Sequence, residues 1–363
     1  MDLTSMSNMD NCSAVIFNGD GSWERKDNFD IPKPPEGGAV IAVEAVGLCH
    51  SDVAQLNGQK HVPGEVSPTV PGHEIVGRVY DLDPDAELGV KIGDRVAVNI
   101  VVPTEPSDSN PFGFSCYGYS FGLDEAEGLW GGYGEYMSIL PRTQLERLTD
   151  EISAEELTIF EPLSNVIAWT SRIHWSQKMK VVIQGPGHMG LTFAAMAKQM
   201  GADKVIVTGT SEDNHRLSIA EEVGADFVID VSNEDPIEKI TEITNGIMAD
   251  LVVDLSSASL VPGLCLDLVR YGGDVIWAGL KDREAVPVVT DTAVMRGLTI
   301  HGGAGGTNKS LKEAVEILNT KKFPTAPLLG EVFGMDQIDE AMAVLNRTAS
   351  NDAVRAVLSH RHK

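Results

Sequence analysis

Cysteine is scarce in this chain. Cys12, Cys49, Cys116 and Cys265 are its four, scattered over 363 residues with no CxxC pair among them. So sparse a set gives no disulfide framework and points to a reducing compartment. Basic residues are also few, 28 against 53 acidic ones, for a formal charge of −25. A field of that sign repels nucleic acid and anionic membrane, so neither is an expected partner. It fits equally well as a solubility adaptation, salt included, and says little about activity. No apolar run is long enough to cross a bilayer, and the opening MDLTSMSNMDN lacks the apolar core of a secretory signal. A soluble cytoplasmic protein is the expectation. Internal repeats and low-complexity segments are missing as well.

What is present is glycine, 36 residues of it, and a hydrophobic content of 42% over a length that fits two domains. Up to about residue 160 the pattern is one of short β-runs, such as AVIAVEAVG, IVGRVYDL and KIGDRVAV. Residues 101–128 read as a long loop whose aromatic residues pack part of it on something. From about residue 178 strands such as KVVIQ, KVIVTG, DFVIDV and DLVVDL alternate with helical stretches such as MGLTFAAMAKQMGA. That alternation predicts an α/β fold with a parallel sheet and right-handed crossovers. A helix-rich portion with SLKEAVEILNT and DQIDEAMAVLN follows Gly302.

QGPGHMG places Gly185, Gly187 and Gly190 in GxGxxG spacing, with His188 and Met189 inside the turn. The motif alone is common, but here it follows a strand and opens a helix, the context a dinucleotide site requires. The helix N-terminus then offers its N–H groups to the pyrophosphate. The next strand does not end in the acidic residue that usually holds the adenosine ribose; Gly209 stands there, followed by Thr210, Ser211, Glu212 and Asp213. Thr210, Ser211 and Arg216 could accept a 2′-phosphate, whereas Glu212 and Asp213 oppose one, so NAD and NADP both stay open with a lean to NAD.

Three short islands carry metal-binding residue types: GLCHSDV with Cys49, PGHEIVG with His73 and Glu74, and FEPLSN with Glu161. Each alone is ordinary, since a single cysteine is most often a small buried hydrophobe and a His-Glu pair a solvated surface. Thiolate, imidazole and carboxylate together suit zinc, and a catalytic zinc keeps one position open for substrate.

Taken in order, GLCHSDV, PGHEIVG, GDRVAV, GGYGEYMSI, EPLSN and GPGHMG resemble the zinc-dependent medium-chain alcohol and polyol dehydrogenases over nearly the whole chain. The sorbitol and threonine dehydrogenase branch is closest, because EPL takes the place of a third cysteine. The resemblance implies a GroES-like, mostly β catalytic domain over residues 1–164 and 305–363, and a Rossmann doubly wound domain over 165–304. It implies that Cys49 and His73 bind a catalytic zinc, with Glu74 and Glu161 as a pair that exchange at the third position and Asp52 orienting the histidine. Ser51 then takes the alcohol proton. The histidine that receives it next in some members is replaced here by Ala54. His50 matches a cofactor-phosphate contact. Many relatives hold a structural zinc with four cysteines in the loop where this chain has only Cys116, so one metal per subunit is expected. The implied activity is reversible hydride transfer between a small-molecule alcohol, a secondary one, and NAD(P)+, in a homo-oligomer of two or four subunits. Two other readings remain: a zinc-free quinone or enone reductase of the same superfamily, and a non-catalytic nucleotide-binding protein on the same fold. Ile100, Trp130 and FGFSCYGYSF either line an apolar substrate pocket or merely pack the loop.

Overall fold

The computed structural model describes residues 11–106, 111, 113–125, 128–349 and 352–360. Nearly all of the opening polar segment, and residues 107–110, 112, 126 and 127 of the long loop, therefore lie outside the described residues. The chain divides into two compact units. One takes in the chain up to Phe160, Val315–Thr325 and everything from Leu329; the other comprises Glu161–Ala314 and Ala326–Leu328. The family resemblance places its breaks at 164/165 and 304/305. Helix Phe160–Thr170 groups with the second unit almost from its first residue, and helix Asn308–Asn319 begins in one unit and ends in the other.

In the first unit the β-runs of the sequence form a seven-stranded sheet. Its order is Glu331–Phe333, Ala356–Ser359, Ala39–Gly47, Glu74–Leu82, Arg95–Val98 and Leu145–Arg147, with Tyr136–Ile139 also pairing to Ala39–Gly47. Every residue of Ala39–Gly47 is buried, as expected of a strand covered on both faces. Val40, Ile41, Ile75, Val98, Met137 and Leu358 share one core with Phe17 and Tyr133, which meet edge to face. The strand Ala356–Ser359 is too short to be read from its pattern, yet it lies directly against Ala39–Gly47.

The second unit holds a six-stranded parallel sheet. Its order is Phe227–Asp230, Lys204–Gly209, Lys180–Gln184, Ala249–Asp254, Val269–Trp277 and Thr299–Gly302. This is the doubly wound order, in which the chain reverses direction between the strands Lys180–Gln184 and Ala249–Asp254 and opens a crevice at their carboxyl ends. Val182, Ile206, Val252, Leu266 and Val275 fill its core. Helix His188–Gln199 buries Leu191, Phe193, Ala194 and Ala197 and stops where Gly201 adopts a positive φ of 83°. The parallel sheet and the alternating helices are those that the sequence pattern predicts.

Candidate metal centre and dinucleotide turn

Antiparallel pairing explains how residues 24 positions apart meet. Gly47 closes the strand Ala39–Gly47 and pairs in register with Glu74, the first residue of the next strand. Cys49 lies two residues beyond the first strand and His73 immediately before the second, so both side chains leave the same end of the sheet. Cys49 is also the N-cap of helix His50–Leu56, where Asp52 Oδ2 accepts the Cys49 N–H at 2.8 Å. The ligand atoms of Cys49, His73 and Glu74 all lie within 4.8 Å of one another. Ligand atoms around a tetrahedral zinc stand roughly 3.3–3.8 Å apart, given bonds of about 2.0–2.3 Å, so a small side-chain adjustment closes the set. Thiolate, imidazole and carboxylate are the donor types zinc takes, and the residues fit the metal.

The electrostatics around His73 are those of a buried, oriented imidazole. His73 is 5% exposed and Asp52 has no exposed surface. Asp52 Oδ1 lies 3.5 Å from His73 Nδ1. Tyr119, from the turn after the strand Phe114–Cys116, places its hydroxyl 3.1 Å from the same Nδ1. That hydroxyl is also 3.1 Å from Ser51 Oγ, and Ser51 Oγ lies 3.5 Å from His73 Nε2. Burial by itself would lower the His73 pKa, but the oxygens of Tyr119 and Asp52 and the Cys49 thiol carry it well above the usual histidine range. Burial pushes the Tyr119 hydroxyl up as well. A second tyrosine, Tyr133, is wholly buried beside this group, and its hydroxyl has no hydrogen-bond partner among the described residues.

Glu74 is the other half of a buried ion pair. Its Oε2 accepts from Nη2 of Arg355, and neither side chain has any exposed surface. Gly47 makes the pair possible, because a Cβ at that position would overlap both Nη2 and Oε2. Arg355 and Tyr119 carry no recognisable motif. The only trace of Tyr119 in the sequence is the aromatic loop FGFSCYGYSF, and nothing flags Arg355.

The other predicted residues stand as follows. His50 is exposed at the first position of its helix, and Ser51 is half-buried. Glu161 lies in the first turn of helix Phe160–Thr170 in the second unit, where its Oε1 accepts from Asn165 Nδ2 at 2.9 Å. Trp130 is 5% exposed, stacks on Tyr117 and Phe121, and donates to the Glu125 carbonyl at 2.6 Å. These rings pack the loop into the core of the first unit. Cys116 is buried too, and its thiol is pushed up to about 11 by desolvation.

In the second unit the three glycines of the turn after Lys180–Gln184 each have their own reason. Gly185 has a φ of 107°, a conformation that side chains disfavour. A Cβ on Gly190 would strike the Gly185 carbonyl oxygen, so that glycine lets helix and strand approach. A Cβ on Gly187 would meet nothing within 4 Å, so protein packing does not require that glycine. It caps helix His188–Gln199, with His188 and Met189 half-buried in the first turn. At the end of Lys204–Gly209 a Cβ on Gly209 would come within 2.9 Å of Pro186 and 3.1 Å of Asp213, which is why no acidic side chain stands there. Thr210 and Ser211 are exposed, Asp213 accepts from Thr210 N and Oγ1 at 2.9 Å, and Arg216 is only 6% exposed. Asp230 pairs in register with Gly209 and accepts from Ser211 Oγ at 2.6 Å.

Residues 35–150 match the family model described as the alcohol dehydrogenase GroES-like domain, and residues 189–320 the model described as zinc-binding dehydrogenase. A probable alcohol dehydrogenase of Mycobacterium tuberculosis is 33% identical over 334 residues, covering 87% of this chain and 90% of the relative. D-arabitol-phosphate dehydrogenase of Enterococcus avium is 29% identical over 82% of this chain and 86% of its own length. Among solved structures, an alcohol dehydrogenase of Thermotoga maritima has the same fold, with a TM-score of 0.85 at 23% identity over 96% of this chain and 99% of that one. With a GroES-like unit, a Rossmann unit and the thiolate-imidazole-carboxylate cluster in place, the chain belongs to the zinc-type medium-chain alcohol dehydrogenases, a family of oxidoreductases.

Proposed function

We propose that the protein is a zinc-dependent dehydrogenase that interconverts a secondary alcohol and its carbonyl with NAD as hydride carrier. The observation that carries this reading is the convergence of Cys49, His73 and Glu74 within 4.8 Å, with the Ser51 hydroxyl beside the imidazole. Cys49 and His73 hold the metal. Glu74, paired with Arg355, offers the third donor. Zinc bound there supplies Lewis acidity, which stabilises negative charge developing on the substrate oxygen. Nicotinamide bound at the glycine turn supplies the hydride acceptor.

The chain's own groups do the rest. Asp52 lies on the Nδ1 side of the His73 ring, which would leave Nε2 to the metal. The Ser51 hydroxyl relays the alcohol proton, its oxygen accepting that proton as its own hydrogen passes to a neighbouring acceptor, and the reverse holds on reduction. Gly185, Gly187 and the first N–H groups of helix His188–Gln199 seat the pyrophosphate.

The finer choices have separate supports. NAD is favoured by Asp230, whose carboxylate beside Ser211 repels a 2′-phosphate, and by the burial of Arg216. A secondary alcohol is favoured by EPL at residues 161–163, the feature shared with the sorbitol and threonine dehydrogenase branch. Assembly into a homo-oligomer is supported by the open edge strand Thr299–Gly302 and by exposed Tyr271, Val294 and Met295 in the same unit.

Metal content per subunit and nicotinamide-linked oxidation of an alcohol panel test the proposal, in the wild type and in Cys49→Ser. About one zinc, lost together with activity in the variant, is the expected result. Full activity without zinc in both proteins would sink it and favour the zinc-free reductase. Dissociation constants for NAD+ and NADP+ decide the cofactor.

A further inference from the structure

We infer that Tyr119 is a positioning residue that fixes the hydrogen-bond direction of both His73 and Ser51, an inference that rests on the zinc reading above. Each group has a fixed number of protons to place. With Nε2 of His73 turned toward the metal, the ring's one proton is on Nδ1. Two acceptors face that nitrogen, Tyr119 Oη at 3.1 Å and Asp52 Oδ1 at 3.5 Å. The tyrosine oxygen is the nearer, so it accepts from the imidazole. Its own proton then needs an acceptor, and Ser51 Oγ, 3.1 Å away, is the one within hydrogen-bond distance that is not itself a donor toward it. The serine thus accepts from the tyrosine hydroxyl and keeps its own hydrogen free for another acceptor, which on carbonyl reduction would be the substrate oxygen.

Burial gives this arrangement its force. Tyr119 is 3% exposed and His73 5%, so bulk water does not compete for either bond. The rings also touch, with centroids 5.4 Å apart, so the tyrosine limits rotation of the imidazole as well as orienting it.

The test is Tyr119→Phe, which keeps the ring and removes only the oxygen. Zinc affinity measured by chelator competition should weaken by roughly 10-fold or more, the usual effect of deleting a partner of a ligating histidine. In carbonyl reduction kcat should fall by roughly 10-fold while the KM for cofactor stays put. In a Ser51→Ala background the same substitution should cost less kcat, because only the contact to His73 is left to lose. Tyr133→Phe is the control, since that hydroxyl lies nearby without a hydrogen bond among the described residues and its removal should alter neither quantity. An unchanged zinc affinity and kcat in Tyr119→Phe would overturn the inference, as would an equal loss of kcat with and without Ser51. A wild type that binds no zinc would defeat the zinc reading itself, an outcome distinct from zinc-loaded wild type with an indifferent Tyr119.

Discussion

Replacing Arg355 by Met removes the cation from a carboxylate that has none of its surface in water. Both members of the Glu74–Arg355 pair are fully buried, so the substitution leaves Glu74 with its charge and no solvent to share it. Breaking such a pair from one side costs about 3–5 kcal/mol, far more than the small net worth of the intact pair. For a unit of this size each kcal/mol moves Tm by about 2–4 °C, so a loss of about 6–20 °C is expected. The double variant Glu74→Gln with Arg355→Met removes both charges and should recover most of that loss. Gly47→Ala perturbs the same pair without touching either charge, because its Cβ would overlap Nη2 and Oε2; it should also be strongly destabilising. Zinc bound as proposed would put a positive charge close to Glu74, so on that reading the Arg355→Met deficit should be larger in metal-free protein than in loaded protein. Differential scanning calorimetry on the four proteins, with and without chelator, reads all of this. If Arg355→Met melts within about 2 °C of the wild type, or the double variant loses as much as Arg355→Met alone, the pair is not the constraint described here.

Three further outcomes follow from the geometry. Gly187→Ala should leave Tm unchanged, since nothing lies within 4 Å of the added carbon, while weakening NAD+ binding in a fluorescence titration; a drop in Tm with intact binding would contradict the assignment. Alkylation of metal-free protein near neutral pH, read by peptide mass spectrometry, should modify Cys49 ahead of the other three. Burial holds the thiols of Cys12 and Cys116 up near about 12 and 11, and that of Cys265 higher still, so early labelling of any of these would be contrary. Tyr133→Phe should hold or raise the melting temperature, because it removes a wholly buried hydroxyl that has no partner; a fall of several degrees would reveal a hydrogen bond the described residues do not show.

Features with a local cause are legible in the chain. The strand-turn-helix around QGPGHMG is one, since Gly185 needs its positive φ and Gly190 its missing side chain within a single supersecondary unit. The alternating strands of the second unit are another, because βαβ connections leave few topologies open. Cys49, His73 and Glu74 are visible as residue types because zinc chemistry admits so few donors. What the sequence leaves open depends on contacts between distant segments. Ala356–Ser359 is a short strand until it pairs with Ala39–Gly47, and that pairing brings Arg355 to Glu74, 281 residues away. Trp130, Tyr117 and Tyr119 look alike in an aromatic loop, and only the fold sends one ring to the imidazole and two into the core. The chain by itself determined the α/β class and the glycine turn between strand and helix, and made Cys49, His73 and Glu74 candidates. Tertiary structure alone decided which buried oxygens orient His73 and which cation faces Glu74, because hydrogen bonds and ion pairs act over a few ångströms of space and carry no periodic signature along the chain.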